Sequence, residues 1–427
     1  MTTEHAGSRR HVVISSDAHA GADLLDYRPY LEARFHDQFD AWAADFHDPW
    51  ADFDVQMHAH DDDGIKMGRM SFVSSYSWDH EARIAHMDAE GIAAEVVFPN
   101  TVPPFYPSGT VTAPAPRTAE EHTLRWAGVQ AHNRWMADFC SLAPERRIGL
   151  AQVFFEDVDA AVAEVEWARE AGLRGVLVPG DHPAKLVPIH GRELDPFWAA
   201  CADLGMPVHR HGVSVGDEDD VNDGASGALA AHENEFYFTR ALPQLVFGAV
   251  FERHPDLKFV FAECGLSWAV RELAKLDAEI AFGRREGHAG YPVFHQAADR
   301  LSMSPSERFR TNCWIGASIM RPQEMALRSE IGVDRIMWGS DYPHTEGVFP
   351  YATVSMRLLL SELPEAEATL VLSGNAASVY DLDMGPLQEI ADRIGPTVDE
   401  VATPVTAADL PERSMSGTVI TAGELVG

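Results

Sequence analysis

The chain alternates short runs of apolar, β-branched residues with longer segments whose apolar side chains recur at helical spacing. Such alternation is typical of βαβ units, which build a parallel sheet. The apolar runs that qualify as strands comprise residues 11–16, 93–99, 147–154, 174–179, 206–211, 258–263, 310–316 and 335–340. Helical patterns follow at residues 81–91, 120–143, 157–172, 194–205, 240–254, 267–285, 322–331 and 353–380.

Eight strands, each followed by a helix, predict an α/β fold of the (β/α)8 TIM barrel class. In such barrels the catalytic groups lie at the carboxyl ends of the strands. A doubly wound open sheet is the competing architecture. It usually carries a G-x-G-x-x-G turn after an early strand, and the chain contains no such motif. We therefore expect a closed barrel.

Two segments exceed what a minimal barrel needs. Residues 20–80 form a long insertion after the first strand, and their length and position predict a lid over the barrel mouth. Residues 385–427 lack strong periodicity and predict either a disordered tail or an arm that wraps a neighbouring subunit. The barrel domain is therefore expected over residues 1–384, with the extension behind it, in a homodimer.

Polar side chains follow several of the predicted strands. Asp17 and His19 come directly after the first strand, and both point to the same side because side chains alternate along an extended segment. His211 ends the fifth strand, Glu263 ends the sixth, and Asp341 follows the eighth. Carboxylate and imidazole groups are ligands of hard-to-borderline divalent cations. Their convergence on one barrel mouth predicts a metal site.

Each of these residues also has a simpler structural explanation. An Asp-x-His string at a strand end is often a turn, and Asp341 before a Tyr-Pro pair can initiate one. His209 lies two residues before His211 and deeper in its strand, so we interpret it as part of the barrel wall. For the whole chain, the corresponding alternative is a catalytically silent barrel that serves as a binding protein. Such a barrel would lack some of the candidate metal ligands, whereas this chain has all of them.

Composition narrows the possible functions. With 46% hydrophobic residues, the 427-residue chain can bury a large core, and no apolar run reaches the roughly 18 residues of a membrane span. The N-terminus lacks the apolar segment of a secretory signal. A formal net charge of −33 opposes binding to nucleic-acid phosphates and anionic lipids. We expect a cytoplasmic protein with a small-molecule substrate and neither a nucleic-acid nor a membrane partner.

Four strings of the chain resemble motifs of the amidohydrolase-related family, whose members include aminocarboxymuconate semialdehyde decarboxylase and aromatic-acid decarboxylases. They are D-A-H at 17–19, P-V-H-R-H-G at 207–212, F-A-E-C-G at 261–265 and W-G-S-D-Y-P-H at 338–344. The similarity spans about residues 11–383. It implies a barrel in which Asp17, His19, His211 and Asp341 hold one divalent ion.

The resemblance is incomplete after the sixth strand, where the decarboxylases carry a catalytic histidine and this chain has Glu263. A glutamate there can ligate the metal, hold a substrate cation or act as a general acid–base with a raised pKa. Two-metal members of the wider superfamily bridge their ions with a carbamylated lysine at the end of the fourth strand. Here that strand ends without a lysine and Lys185 comes later, which favours a single ion.

These features predict a metal-dependent hydrolase of a small organic acid, amide, lactone or related carbonyl compound. The alternative is a non-oxidative decarboxylase or hydratase, and Glu263 is the reason for placing hydrolysis first. The ion is expected to be Zn²⁺, with Mn²⁺, Fe²⁺ or Co²⁺ as alternatives, and to lower the pKa of a bound water or polarise a carbonyl group. Asp341 is expected to ligate this ion and to act as the catalytic base.

Three further residues are candidates at the mouth. His344 is expected either to donate a hydrogen bond to a substrate oxyanion or to be a supporting turn histidine. His182 follows the fourth strand and is predicted to contact the substrate. Trp268 lies on the helix after Glu263, where we assign it a substrate contact, with helix packing as the alternative.

Overall fold

The computed structural model describes residues 9–47, 75–109, 113–182, 185–212, 224–285 and 292–425. Eight parallel strands form one sheet in chain order. They are β1 Ile14–Ala20, β2 Ala94–Pro99, β3 Arg147–Gln152, β4 Gly175–Leu177, β5 Val208–His211, β6 Phe259–Ala262, β7 Cys313–Ala317 and β8 Ile336–Trp338. The N–H of His19 donates to the carbonyl of Tyr342 at 2.7 Å beside a parallel bridge between Ala18 and Tyr342. This contact brings the end of β8 onto β1, and the predicted (β/α)8 barrel is confirmed.

Helices separate the strands on the outside of the barrel. The α-helices are His36–Asp45, His80–Ala89, Ala119–Ser141, Val158–Glu170, Asp195–Asp203, Gly224–Thr239, Ala241–Phe247, Val250–Arg253, Ser267–Gly283, Pro292–Ala298, Pro305–Asn312, Arg328–Ile331, Ala352–Leu360, Glu365–Thr369, Asn375–Tyr380, Met384–Ile394, Val398–Val401 and Ala422–Leu425. The 3₁₀ helices are Leu24–Tyr30, Ala33–Phe35, Ser75–Ser77, Arg192–Leu194, Pro322–Leu327, Val333–Arg335 and Ala407–Asp409, and Leu370–Gly374 is a π-helix. No helix among these combines the length and apolarity needed to cross a bilayer.

Two of the predicted helices are interrupted. The pattern at 240–254 is split at Ala249, whose φ of 53° lies in the left-handed region that an α-helix does not use. The pattern at 353–380 becomes three α-helices, because the segment before Pro364 is held out of helical geometry and a π-helix then precedes Asn375. Apolar periodicity alone does not register such breaks.

Alternation along the strands separates two apolar clusters. Inward-facing side chains fill the barrel, among them Ile14, Val96, Leu150, Val260 and Met337. Outward-facing neighbours such as Val97, Ala151, Phe261 and Ile315 pack against the helices. Since the apolar side chains occupy the body of the barrel, the inward positions at the carboxyl ends of the strands are left for polar groups.

The C-terminal extension packs on its own barrel over its described residues, and contact with a neighbouring subunit stays a prediction. Leu387 and Ala391 of helix Met384–Ile394 join the inner cluster of the barrel. The N–H of His11 donates to the carbonyl of Pro396 at 2.9 Å, which joins the segment before β1 to the extension. Farther on, the Thr418 hydroxyl donates to the carbonyl of Met320 at 2.8 Å, beside the end of β7. Helix Met384–Ile394 is strongly amphipathic, so the expectation that residues 385–427 lack strong periodicity is wrong for this part of the extension.

The described parts of the predicted lid pack beside the carboxyl ends of β2 and β3. Leu24, Phe35 and Phe39 form a cluster with Tyr106 and with Phe154, which closely follows β3. Residues 48–74 of the insertion lie outside the described residues. That the whole insertion covers the mouth therefore stays a prediction.

Candidate metal centre

Four predicted residues meet at the carboxyl end of the barrel. The Nε2 atom of His19 lies 3.3 Å from Oδ1 of Asp17 and 3.1 Å from Oδ1 of Asp341. The Nε2 atom of His211 lies 3.4 Å from the same oxygen of Asp17. All four side chains are buried. Three strand ends that are remote in sequence thus bring two imidazoles and two carboxylates together, as the strand-end argument predicted.

Several polar atoms of this cluster are in close contact without forming hydrogen bonds. Among the described residues, Nε2 of His19 and the two carboxylate oxygens of Asp341 are buried and make no contact with the geometry of a hydrogen bond, although Nε2 of His19 lies 3.1 Å from Oδ1 of Asp341. Burying such groups without a partner is unfavourable, and a cation among them removes the penalty. Two imidazole nitrogens and two carboxylates are a donor set suited to Zn²⁺, Mn²⁺, Fe²⁺ or Co²⁺. The residues present therefore fit a divalent metal ion.

The backbone is strained at two residues of the site. Glu263 and Asp341 each follow a strand end and each have a φ of 54°, in the left-handed region. Residues other than glycine rarely adopt it, and each instance costs about 1–3 kcal/mol. Strain of this kind persists where the surrounding structure demands a particular side-chain position, and it is concentrated at functional sites. Both residues are among the predicted catalytic groups.

The buried carboxylates and imidazoles change one another's pKa values. Burial acts to raise the pKa of Asp17 and of Asp341, but the histidines that face them outweigh it, and both values are lowered. Burial acts to lower the pKa of His19 and of His211, but the facing carboxylates outweigh it, and both values are raised. The site is therefore built to hold positive charge against two carboxylates.

Glu263 lies on the far side of a predicted metal ligand. Its Oε2 atom is 3.1 Å from Nδ1 of His211, whose Nε2 faces Asp17. Burial raises the pKa of Glu263 to about 8; His211 opposes this, whereas Asp341 and Asp17 add to it. Its side chain remains 19% exposed, unlike that of Asp341 at 0%. Glu263 is thus the site carboxyl that a molecule in the mouth can reach.

His344 belongs to the cluster rather than to a turn alone. Its ring stacks on that of His19 with 4.0 Å between centroids, and its Nδ1 lies 3.0 Å from Oδ1 of Asp341. Burial acts to lower its pKa, but Asp341 outweighs this and raises it to about 10. On the opposite edge, Nε2 lies 2.8 Å from Oδ1 of Asn100, whose Nδ2 donates to Ser77 at 2.8 Å. Asn100 therefore links His344 to Ser77, near the end of the insertion, through two hydrogen bonds.

Sequence reasoning missed Asn100 and Ser318, which follow β2 and β7. The Ser318 hydroxyl donates to Oδ2 of Asp17 at 2.5 Å and leaves Oδ1 facing the two histidines. The signal that could have found both residues is the one used for the ligands, a polar side chain directly after an apolar strand.

Replacing Ser318 with alanine should weaken metal binding by about 10–100-fold, because Asp17 loses the group that orients its carboxylate. Competition with a chelator would measure the change. Ser141→Ala, at the exposed end of helix Ala119–Ser141, is the matched control and should bind metal normally. Normal affinity in Ser318→Ala would mean that this hydrogen bond does not organise the site.

Other predicted residues lie outside this cluster. His209 packs in the barrel, where its Nε2 lies 2.8 Å from the Tyr380 hydroxyl, so the barrel-wall interpretation is confirmed. Trp268 packs between Phe261 and Phe238, with ring centroids 5.0 and 5.6 Å away. These are the contacts of a packing residue, and its contact with a substrate stays a prediction.

His182 and Lys185 lie in the loop after β4. His182 is buried there, its backbone paired with that of Lys185, and its contact with a substrate also stays a prediction. The Lys185 ammonium donates to Glu156 at 2.5 Å and so is engaged away from the cluster. This agrees with the expectation of a single ion, because a lysine that bridges two ions would have to reach the site.

Known proteins resemble this chain along most of its length. The amidohydrolase family profile matches residues 53–382. Gamma-resorcylate decarboxylase of Rhodococcus jostii (strain RHA1) is 24% identical over 338 residues, which cover 73% of this chain and 93% of the relative. The 2-amino-3-carboxymuconate-6-semialdehyde decarboxylase of Dictyostelium discoideum is 24% identical over 322 residues, which cover 73% of this chain and 79% of the relative.

Solved structures share the fold. The 5-carboxyvanillate decarboxylase of Sphingomonas paucimobilis superposes with a TM-score of 0.60 at 19% identity, over 87% of this chain and 99% of the other. The dihydroxybenzoic acid decarboxylase of Polaromonas sp. JS666, solved with bound manganese, reaches 0.55 at 17% identity, over 87% and 97%. The profile covers well over half of the chain. The chain therefore belongs to the amidohydrolase family and is an enzyme of the hydrolase or lyase type.

Proposed function

We propose that the protein is a non-oxidative, metal-dependent decarboxylase of an aromatic or otherwise unsaturated carboxylic acid. The observation that carries the proposal is the buried cluster of Asp17, His19, His211 and Asp341, with its unpaired polar atoms, in a chain whose named relatives are decarboxylases. The order of the two predicted activities is thereby reversed. Glu263 alone favours hydrolysis, whereas the named relatives favour decarboxylation.

The same four residues are proposed to hold one divalent ion. When bound, such an ion supplies positive charge that orients the acid's oxygen atoms and offsets their negative charge. Manganese in a structural relative supports Mn²⁺, while Zn²⁺, Fe²⁺ and Co²⁺ remain compatible with the donor set. The Ser318 hydroxyl donates to the carboxylate of Asp17, and Nδ1 of His344 lies beside the carboxylate of Asp341, so both residues orient the proposed ligands.

Loss of CO₂ from an unsaturated carbon requires a proton on that carbon. A C–H bond forms, the C–C bond to the carboxylate breaks, and its electron pair returns to the ring or double bond. Glu263 is the residue to which we assign this proton transfer. Its carboxyl is partly exposed to the mouth and contacts His211, whereas Asp341 is buried beneath it among the histidines.

A hydrolase or hydratase is the second candidate, and one observation favours it. Glu263 stands where the similar decarboxylases carry a histidine, and an ionised glutamate accepts a proton from water readily. In that case the reaction would add water to the substrate and release no CO₂. The two candidates use the same metal site and differ in the direction of proton transfer at Glu263.

Incubation with a panel of acids distinguishes the two activities. The panel should contain 2,6-dihydroxybenzoate, 5-carboxyvanillate and related unsaturated acids, with aryl amides and lactones as hydrolase substrates. We expect CO₂ release from at least one acid, and in D₂O one deuterium at the carbon that lost CO₂. Activity should disappear on dialysis against a chelator and return with Mn²⁺. Hydrolysis of an amide or lactone without CO₂ release from any acid would contradict the proposal.

A further inference from the structure

A segment of the C-terminal extension lies against the loop that follows β7. We name this segment, residues 416–419, the C-terminal brace. The Thr418 hydroxyl lies 2.8 Å from the carbonyl oxygen of Met320 and 3.2 Å from that of Ser318, and its hydrogen points between the two acceptors. Thr418 is 1% exposed, and Ser318 and Met320 are buried as well. The brace therefore makes a buried contact with the backbone of the loop.

The neighbours of Thr418 fit the same stretch of backbone. A Cβ atom at Gly417 would lie 2.9 Å from the carbonyl oxygen of Ile319, so a side chain there would push the two main chains apart. Val419 is buried in the apolar cluster between the strands and the helices. The Ser416 hydroxyl accepts from the N–H of Thr418 at 3.2 Å and from that of Val419 at 3.1 Å, which fixes the turn that presents Thr418.

The loop leads directly to a proposed metal ligand. The carbonyl of Ser318 accepts from Thr418, and the hydroxyl of the same residue donates to Oδ2 of Asp17 at 2.5 Å. A serine hydroxyl is joined to the main chain through a single rotatable bond, so its position follows that of the backbone. A shift of the backbone at Ser318 is thus transmitted to the carboxylate of Asp17.

The far end of the loop is held without the brace. Oε1 of Glu324 accepts from the N–H of Leu266 at 3.0 Å and from that of Ser267 at 2.8 Å. Leu266 is three residues beyond Glu263, so this end of the loop is attached to the segment that follows β6. The contribution of the brace is therefore confined to the near end of the loop, where Ser318 lies.

The extension is also attached to the barrel before it reaches the brace. Arg357 of helix Ala352–Leu360 donates to the carbonyl of Thr403 at 2.9 Å and to that of Pro404 at 2.8 Å. The same guanidinium donates to Asp409 at 3.1 Å. Because these contacts do not involve Thr418, a change at Thr418 should leave the earlier part of the extension in place.

We propose that Thr418 is a positioning residue for the metal centre, which fixes the backbone of Ser318 and thereby the carboxylate of Asp17. Groups that orient metal ligands contribute to metal affinity without touching the ion. The brace lies beyond residue 382, where the match to the family profile ends, so this support comes from outside the matched region. The inference rests on the metal site of the proposed function and is independent of the reaction that the site catalyses.

Metal binding tests the proposal without turnover. Thr418→Val removes the hydroxyl and keeps the shape of the side chain. Its affinity for Mn²⁺, measured by competition with a chelator, should fall by about 3–10-fold, less than in Ser318→Ala, because Thr418 acts through Ser318. Thr418→Ser restores the hydroxyl and should bind Mn²⁺ within about 2-fold of the wild type. The control is Thr403→Val, which removes an exposed hydroxyl that donates to Asp399 at 2.7 Å and should not change the affinity.

A double-mutant cycle separates positioning from a general effect on the fold. In the Ser318→Ala background, Thr418→Val should change the Mn²⁺ affinity by less than about 2-fold, because the hydroxyl that Thr418 positions is already absent. A general loss of stability would instead lower the affinity by the same factor in both backgrounds. Should Thr418→Val not fold, as judged by circular dichroism, Gly417→Ala takes its place in the cycle, since its Cβ disturbs the same contact. The same dependence on Ser318 is expected.

This proposal and the proposed function fail in different ways. Wild-type affinity in Thr418→Val, or independent losses in the double variant, would overturn the role of Thr418 and leave the metal centre standing. Wild-type protein that binds no Mn²⁺ would overturn the metal centre and the role of Thr418 together. Coupling between Thr418 and Ser318 in a protein that releases no CO₂ from any acid would support the positioning role and count against decarboxylation.

Discussion

Glu263→Gln should lower turnover by about 10²–10⁴-fold while one metal ion per chain is retained, if Glu263 is the acid–base group. Glutamine keeps the shape and the contact with Nδ1 of His211, but it neither donates nor accepts a proton at the reacting carbon. The turnover number on the acid that the panel identifies, and the metal content from elemental analysis, are the two measurements. Because Glu263 is partly exposed at the mouth, we expect the turnover number to change and the metal content to stay the same.

The metal content decides between roles for Glu263. If it falls together with turnover, Glu263 acts as a ligand or holds His211 in position through Nδ1, in the manner of carboxylates that orient metal-binding histidines. Glu170→Gln, an exposed change at the end of helix Val158–Glu170, is the control for loss of a carboxylate and should be normal in both measurements. Near-normal turnover with full metal content would remove Glu263 from the mechanism.

His211→Ala should lose most of the bound metal, with the affinity reduced by more than about 100-fold, since even groups that only orient ligands contribute 10–100-fold. Removing one of four ligands also leaves two buried carboxylates facing a single imidazole, which further disorganises the site. Protein purified without a chelator should contain close to one transition-metal ion per chain, and the variant should contain far less.

Loss of the fold would imitate this result, so the variant must be compared by circular dichroism with the metal-free wild type. His190→Ala, which removes an exposed histidine, is the matched control and should keep its metal. Full metal occupancy in His211→Ala would show that the wrong histidine of β5 was chosen, with His209 as the next candidate. The hydrogen bond between His209 and Tyr380 is the observation against that outcome.

The sequence by itself determined the barrel and the main members of the cluster. Alternation of apolar runs and helical stripes is a local property, and it located every strand to within a few residues. The same alternation places Asp17 and His19 on one side, and the strand-end rule adds His211 and Asp341, because parallel strands in a barrel all present their carboxyl ends to one mouth. These deductions need only the period of side chains along a strand.

Tertiary structure alone decided how the polar residues that follow β2 and β7 pair with the cluster. Ser318 and Asp17 are 301 positions apart, and Asn100 and His344 are 244 positions apart, so no local pattern connects them. Gln152 looks in the sequence like one polar residue in an apolar strand. Only the folded chain shows that it is buried beside a small cavity and that no described residue hydrogen-bonds to its side-chain amide.

The chemistry at Glu263 was also decided by the fold. The sequence identifies a carboxyl group at the end of β6, but its charge depends on distance and burial, which arise from contacts between β1, β5, β6 and β8. The left-handed backbone at Glu263 turns that carboxyl toward Nδ1 of His211, and burial beside Asp341 and Asp17 raises its pKa. Electrostatic interactions of this kind fall off steeply with distance and grow in an environment shielded from water, so they exist only once the distant strands have been brought together.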